Sequence, residues 1–263
     1  MVTTQPFSFY NRRQQRISGE LLVPPDAKGW AVIVHGLGGS RAEPQMKMLA
    51  EAAVSAGYAT IFYDASNSFG ASGGTLDQLT PTTHIHDLED VIAYCEAQKK
   101  AAAPYVLLGH SLGSFAILHY AAHNLDKVAA IAPLSAVLGG DATWQAWQNA
   151  DPKLFADWHR TGSYPKANPL NPSQTGSIGW NYIADMKHYD MLKEAPQITA
   201  PALLMVGARD RMTPPHTQLQ LKDKLAGPVE KTIIDDCGHT YHQPEHLARV
   251  KEVVTGWLER LRE

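Results

Sequence analysis

Cysteine is almost missing from the chain: Cys95 and Cys237 are the only two in 263 residues. A disulfide between them is possible, but it has no framework of further cysteines behind it, so a disulfide-rich scaffold is excluded and one pair is weak evidence of secretion. Charge of one sign is also missing. Lys and Arg number 23 against 26 Asp and Glu, for a formal net charge of −3. That balance argues against nucleic acid or an anionic membrane as an obligatory partner. No apolar run approaches the roughly 20 residues needed to cross a bilayer, so no membrane span is expected. The opening stretch from Met1 to Pro6 lacks a basic region followed by an apolar core, the mark of a signal peptide. The expected location is cytoplasmic. The sequence sets no oligomeric state, and a homodimer is compatible with it.

What is present is a large apolar fraction, 44% of residues, enough for the core of one domain with an insertion. Phe7–Tyr10 and Gln14–Val23 read as two strands around Asn11-Arg12-Arg13, the second stopped by Pro24 and Pro25. Short apolar runs then alternate with helical spacings. Strands are expected at Trp30–His35, Ala59–Asp64, Tyr105–Gly109, Val128–Ala132, Ala202–Val206 and Glu230–Ile234. Helices are expected at Pro44–Ala56, His84–Gln98, Leu112–His123, near His216–Leu225 and at Glu245–Leu261. This alternation predicts an α/β fold: a mostly parallel sheet covered by helices on both faces, with an antiparallel opening hairpin. Chemistry in such sheets gathers at the carboxyl ends of the strands.

One segment breaks the rhythm. Between Pro133 and Pro201 lie four of the six tryptophans, namely Trp144, Trp147, Trp158 and Trp180, together with Tyr164, Tyr182 and Tyr189. Pro152, Pro165, Pro169 and Pro172 rule out one continuous helix. A loop this long is expected to fold as a cap, over about residues 137–195, rather than to run without structure. The four tryptophans are candidate substrate walls; the other reading is that they form the cap's own core.

The pentapeptide Gly109-His110-Ser111-Leu112-Gly113 is short enough to arise by chance, but its setting is specific. It lies where an apolar strand meets a helix, the context of a nucleophile elbow, in which a strained turn lifts a serine hydroxyl clear of the sheet. A serine needs a base, and the base an orienting carboxylate, in the chain order Ser, Asp or Glu, His. Asp210 follows the strand Ala202–Val206, and His239 follows the last strand. Asp235 and Asp236 are rival acids, and His242 and His246 rival bases. The spacing of His239, His242 and His246 also invites a metal reading, which lacks a carboxylate-rich partner segment. His84 and His86 are read as decorating a helix start, with a substrate-side role as the alternative, and Cys237 as a small filler beside the histidine. The loop His35-Gly36-Leu37-Gly38-Gly39-Ser40 follows a strand and places the Leu37 and Leu112 backbone N–H groups as an oxyanion hole. No Lys-Ser or Lys-Thr pair follows it, so a phosphate-binding loop is not favoured.

On these residues the chain resembles the α/β-hydrolase superfamily over nearly its whole length. Within it, the chain looks most like the bacterial feruloyl/cinnamoyl esterase and related carboxylesterase branch. The shared marks are the His35-Gly36 loop, the Gly-His-Ser-Leu-Gly elbow, Asp64 followed by Gly70-Ala71-Ser72-Gly73-Gly74, the cap, and the run Asp210-Arg211-Met212-Thr213-Pro214. Ser66 and Asn67 depart from the Arg-Gly pair usual in that branch, and Ser114 from the small residue common after the elbow. The resemblance implies Ser111 as nucleophile, Asp210 as acid and His239 as base, acting on a small-molecule ester with no cofactor and no metal. The same constellation would serve a monoacylglycerol lipase, a C–C-bond hydrolase or a peptidase, and the fold can also serve as a ligand-binding receptor.

Overall fold

The computed structural model describes residues 1–261. The chain opens with β1 (Thr3–Tyr10), β2 (Arg16–Val23) and β3 (Trp30–Val34), followed by α1 (Pro44–Ser55), β4 (Ala59–Asp64), α2 (Pro81–Ala97), β5 (Tyr105–His110), α3 (Leu112–His123) and β6 (Val128–Leu134). A cap follows, made of α4 (Gly140–Ala150), α5 (Pro152–Thr161), β7 (Ser163–Asn168), β8 (Asn171–Gly179), α6 (Asn181–Met186) and α7 (Met191–Glu194). The chain closes with β9 (Ala202–Gly207), α8 (Pro215–Lys222), β10 (Val229–Ile234) and α9 (Pro244–Arg260).

The main sheet has eight strands in the order β1-β2-β4-β3-β5-β6-β9-β10. β1 and β2 pair antiparallel, β2 pairs antiparallel with β4, and every pairing from β4 to β10 is parallel. This is the mixed sheet expected from the alternation of apolar runs and helices. Successive residues of the central strands face opposite sides and both sides are dry. Val32 and Val34 pack with α2 and α3, whereas Ala31 and Ile33 pack with α1 and α9. That is why these strands read as unbroken apolar runs. α3 is apolar on every side but that of His119 and His123, with Leu112, Phe115, Ile117 and Leu118 each fully buried, as a helix under both sheet and cap must be.

Local chemistry fixes the helix starts. Pro44, Pro81, Pro152 and Pro244 each open a helix, where the missing N–H costs nothing. Thr80 and Thr83 form a capping box at the start of α2, so that helix begins before His84, where the apolar spacing starts. The cap contains an antiparallel hairpin, β7 with β8, which the sequence does not announce. Its strands are mostly exposed and polar, so they lack the alternation that marks a half-buried strand. Among the described residues no helix is long and apolar enough to cross a membrane. Cys95 and Cys237 are both free and buried.

Candidate active site

Because β3, β5, β6, β9 and β10 run parallel, their carboxyl ends share one edge, and the loops leaving them converge there. Ser111 sits at the β5–α3 junction with φ 56° and ψ −117°. A non-glycine residue in that region carries about 1–3 kcal/mol of strain, held here by the Ser111 N–H to Leu134 carbonyl bond of 2.9 Å. The flanking glycines are obligatory for space. A Cβ on Gly109 would lie 2.6 Å from the Gly113 backbone, and one on Gly113 only 2.1 Å from the Val34 carbonyl oxygen.

His239, in the loop after β10, has Nε2 2.9 Å from Ser111 Oγ and Nδ1 2.9 Å from Asp210 Oδ2. Asp210 is held by five donors. Its Oδ1 accepts from the Met212 and Thr213 backbone N–H groups, each at 2.9 Å. Its Oδ2 accepts from the Thr213 hydroxyl at 2.7 Å, from the Ser135 hydroxyl at 2.8 Å, and from His239. Burial alone would raise this carboxyl; the bond and charge of His239, with the bonds from Thr213, outweigh it and hold Asp210 well below the usual carboxylate range. An ionised Asp210 assigns the His239 Nδ1 proton to itself and leaves Nε2 free to accept the Ser111 hydroxyl proton.

The loop after β3 is fixed by two further histidines. The Ala65 N–H donates to His35 Nε2 at 2.9 Å, so the ring proton lies on Nδ1, which donates to the Gly36 carbonyl at 2.8 Å. In a trans peptide the next N–H points the opposite way from that carbonyl, and the next N–H is that of Leu37. His84 Nε2 donates to the His35 carbonyl at 2.8 Å. The reading of His84 as a helix-start decoration is corrected: it is buried beneath the loop, and burial together with His35 lowers its pKa to about 3. His86, two residues on, is partly exposed. His110 is likewise pushed down to about 3, by burial and then by His239, and its Nε2 donates to the His239 carbonyl at 2.7 Å.

A cavity of about 550 Å³ opens over Ser111. Gly36, Leu37, Ser111 and His239 form its floor, and Trp147, Trp158, Phe155 and Leu138 contribute an apolar wall. Of the four tryptophans expected as substrate walls, Trp147 and Trp158 line this cavity. Trp144 and Trp180 do not; they pack edge to face with each other at 5.6 Å and against Phe155, inside the cap. The cap has its own core of Phe155, Trp158 and Tyr182, against which Trp144 and Trp180 pack partly buried. Leu112, fully buried, opens α3 beside Ser111.

The rival assignments fall elsewhere. Asp235 and Asp236 are exposed, and Asp236 pairs with Arg209 at 2.5 Å. His242 is exposed and shares a contact with Thr240; the spacing His239, His242, His246 gathers no metal-binding group among the described residues. Burial and the charge of Asp210 push the Cys237 thiol up to about 11. Sequence reasoning missed Ser135 and Tyr241. The Tyr241 hydroxyl lies 2.9 Å from Ser135 Oγ and donates to the Met205 carbonyl at 3.3 Å. The one available signal for Ser135 was a polar residue directly after an apolar strand, at the active edge.

Residues 31–253 match the profile of the Alpha/beta hydrolase family. The chain is 24% identical over 196 residues to the mitochondrial palmitoyl-protein thioesterase ABHD10 of Rattus norvegicus, covering 74% of this chain and 63% of that protein. It therefore spans less than two thirds of that relative's length. The solved structure of alpha/beta hydrolase domain-containing protein 10 from mouse superposes with a TM-score of 0.76 at 19% identity, covering 98% and 99% of the two chains. Est1E from Butyrivibrio proteoclasticus, in a structure with ferulic acid bound, superposes with a TM-score of 0.70 at 18% identity, covering 99% and 96%. The structural likenesses are likenesses of fold.

Proposed function

The chain belongs to the alpha/beta hydrolase family, and we infer that it is a hydrolase that cleaves carboxylic esters or thioesters through an acyl-enzyme on Ser111. The observation that carries this reading is the continuous hydrogen-bond path from Ser111 through His239 to Asp210 on the floor of a largely apolar cavity.

The cycle follows from that path. His239 Nε2 takes the hydroxyl proton as Ser111 Oγ bonds to the substrate carbonyl carbon. The Leu37 and Leu112 backbone N–H groups hold the resulting oxyanion; losing one such donor costs about 10²–10³ in rate. His239 returns the proton to the leaving alcohol or thiol as its bond to carbon breaks. Water then repeats the sequence on the acyl-enzyme: its proton goes to His239 and on to Ser111, and the acid departs. Asp210 stays ionised and fixes the imidazole orientation throughout. Ser135 and Thr213 keep it so.

The apolar wall of Trp147, Trp158, Phe155 and Leu138 suits an aromatic acyl group of the feruloyl or cinnamoyl kind. A fatty acyl group is the second reading, favoured by the thioesterase name of the ABHD10 relative. Hydrolysis of p-nitrophenyl acetate, butyrate and octanoate, of methyl ferulate and of an octanoyl thioester, by wild type and Ser111→Ala, tests both. Turnover lost in Ser111→Ala supports the nucleophile, and the substrate ranking decides the acyl class. A well-folded wild type inactive on every member would overturn the reading in favour of a C–C-bond, peptide or receptor role.

A further inference from the structure

A second group of chemistry-bearing side chains lies outside the catalytic cavity, where the cap rejoins the core. His119 and His123 stand one helical turn apart on α3, and Glu194 ends α7 opposite them. Glu194 Oε2 lies 2.7 Å from His119 Nδ1 and 3.7 Å from His123 Nδ1. The two imidazole centroids are 4.2 Å apart. One ligand atom from each of the three residues lies within 4.8 Å of the others.

We propose that His119, His123 and Glu194 form a binding site for a zinc-class divalent ion, with a coordination position left open to solvent. Two histidines four residues apart on a helix project from one face, the spacing with which helices offer two imidazoles to a single zinc. Zinc bonds of about 2.0–2.1 Å in tetrahedral geometry set neighbouring N and O ligands about 3.3 Å apart. The two Glu194–histidine separations, 2.7 and 3.7 Å, bracket that value. His119 Nδ1 already faces the carboxylate, and the pair has only to open from 2.7 Å toward that separation. His123 donates from Nδ1 to the His119 carbonyl at 2.9 Å. Its side chain is half exposed, and its ring turns about a soft torsion to present either nitrogen.

The surroundings fit the same reading. Among the described residues the ion-pair partners of Glu194 are these two histidines, with neither lysine nor arginine. Phe115 and Tyr189 wall the His119 ring at 6.4 and 5.4 Å between centroids, which lowers the local dielectric and strengthens binding of a cation to a carboxylate. The ion would join the last helix of the cap to the helix that begins behind Ser111. It takes no part in acyl transfer, and the site stands whether or not the esterase reading holds.

The test is titration of the EDTA-treated full chain with Zn²⁺ by calorimetry and with Co²⁺ by visible absorption. It uses wild type, His123→Ala, Glu194→Gln and the control His242→Ala. One equivalent bound by wild type and by the control, with affinity at least tenfold weaker in His123→Ala, is the expected result. Zn²⁺ should also raise the melting temperature of wild type and leave that of His123→Ala unchanged. His123 is half exposed, so its loss leaves the fold intact; if Glu194→Gln fails to fold, His123→Ala decides alone. No uptake by wild type at micromolar Zn²⁺, or undiminished uptake by His123→Ala, overturns the proposal.

Discussion

The Ser135 hydroxyl lies 2.8 Å from Asp210 Oδ2, the same carboxylate oxygen that faces His239. The two donors therefore compete for one acceptor, and Ser135 draws off part of the negative charge that steadies the imidazolium. Ser135→Ala should leave more of that charge for His239. The acid limb of the kcat/KM pH profile should then move to higher pH, and kcat should fall by roughly tenfold from lost orientation, the scale of one charge-assisted hydrogen bond. A profile that does not move would remove Ser135 from the catalytic network.

Asp210→Asn tests orientation more severely. The amide presents a donor to one side of the site and disfavours the required imidazole tautomer. The expected fall in kcat is about 10⁴-fold, with KM nearly unchanged. Steady-state kinetics on any ester the wild type accepts provides the measurement.

Trp147 and Trp144 stand three residues apart on α4 yet face different tasks. Trp147 lines the cavity, whereas Trp144 packs on Phe155 and Trp180. Trp147→Ala should raise KM for bulky acyl groups about tenfold and spare acetate. Trp144→Ala should lower the melting temperature, at a cost of about 3 kcal/mol, and leave the substrate ranking as it is.

Stability should fall on the acid side because of two buried histidines. His84 and His110 have folded pKa values of about 3, against 6.5 when unfolded. Between those limits the unfolded chain binds protons that the native one refuses, so stability rises with pH there and is fully present above about 6.5. Each contributes a slope of at most about 1.4 kcal/mol per pH unit. Urea unfolding at several pH values between 4 and 7 measures it, and His84→Asn should remove its share of the slope.

Much of this was legible in the amino-acid order because the central strands are dry on both faces. Ala59–Asp64 forms β4 with those bounds, and Leu112–His123 forms α3. The positions of Ser111, Asp210 and His239 at strand ends followed from the same pattern. What the sequence hid depends on contacts between distant segments. Ser135 and Tyr241 meet Asp210 only through the fold. His84, read as decorating a helix start, is covered by the loop after β3. The β7–β8 hairpin escaped notice because Pro165, Lys166 and the polar run of β8 carry no apolar period. Trp144 and Trp180 could not be told from Trp147 and Trp158 without knowing which face of the cap turns inward.

The most direct test of the central claim is the mass of the intact protein after brief exposure to a fluorophosphonate, followed by peptide mapping. The account predicts one phosphonyl adduct, on Ser111, formed rapidly at neutral pH and absent from Ser111→Ala and from heat-unfolded wild type. A folded chain that stays unmodified, or an adduct on another residue, would contradict it.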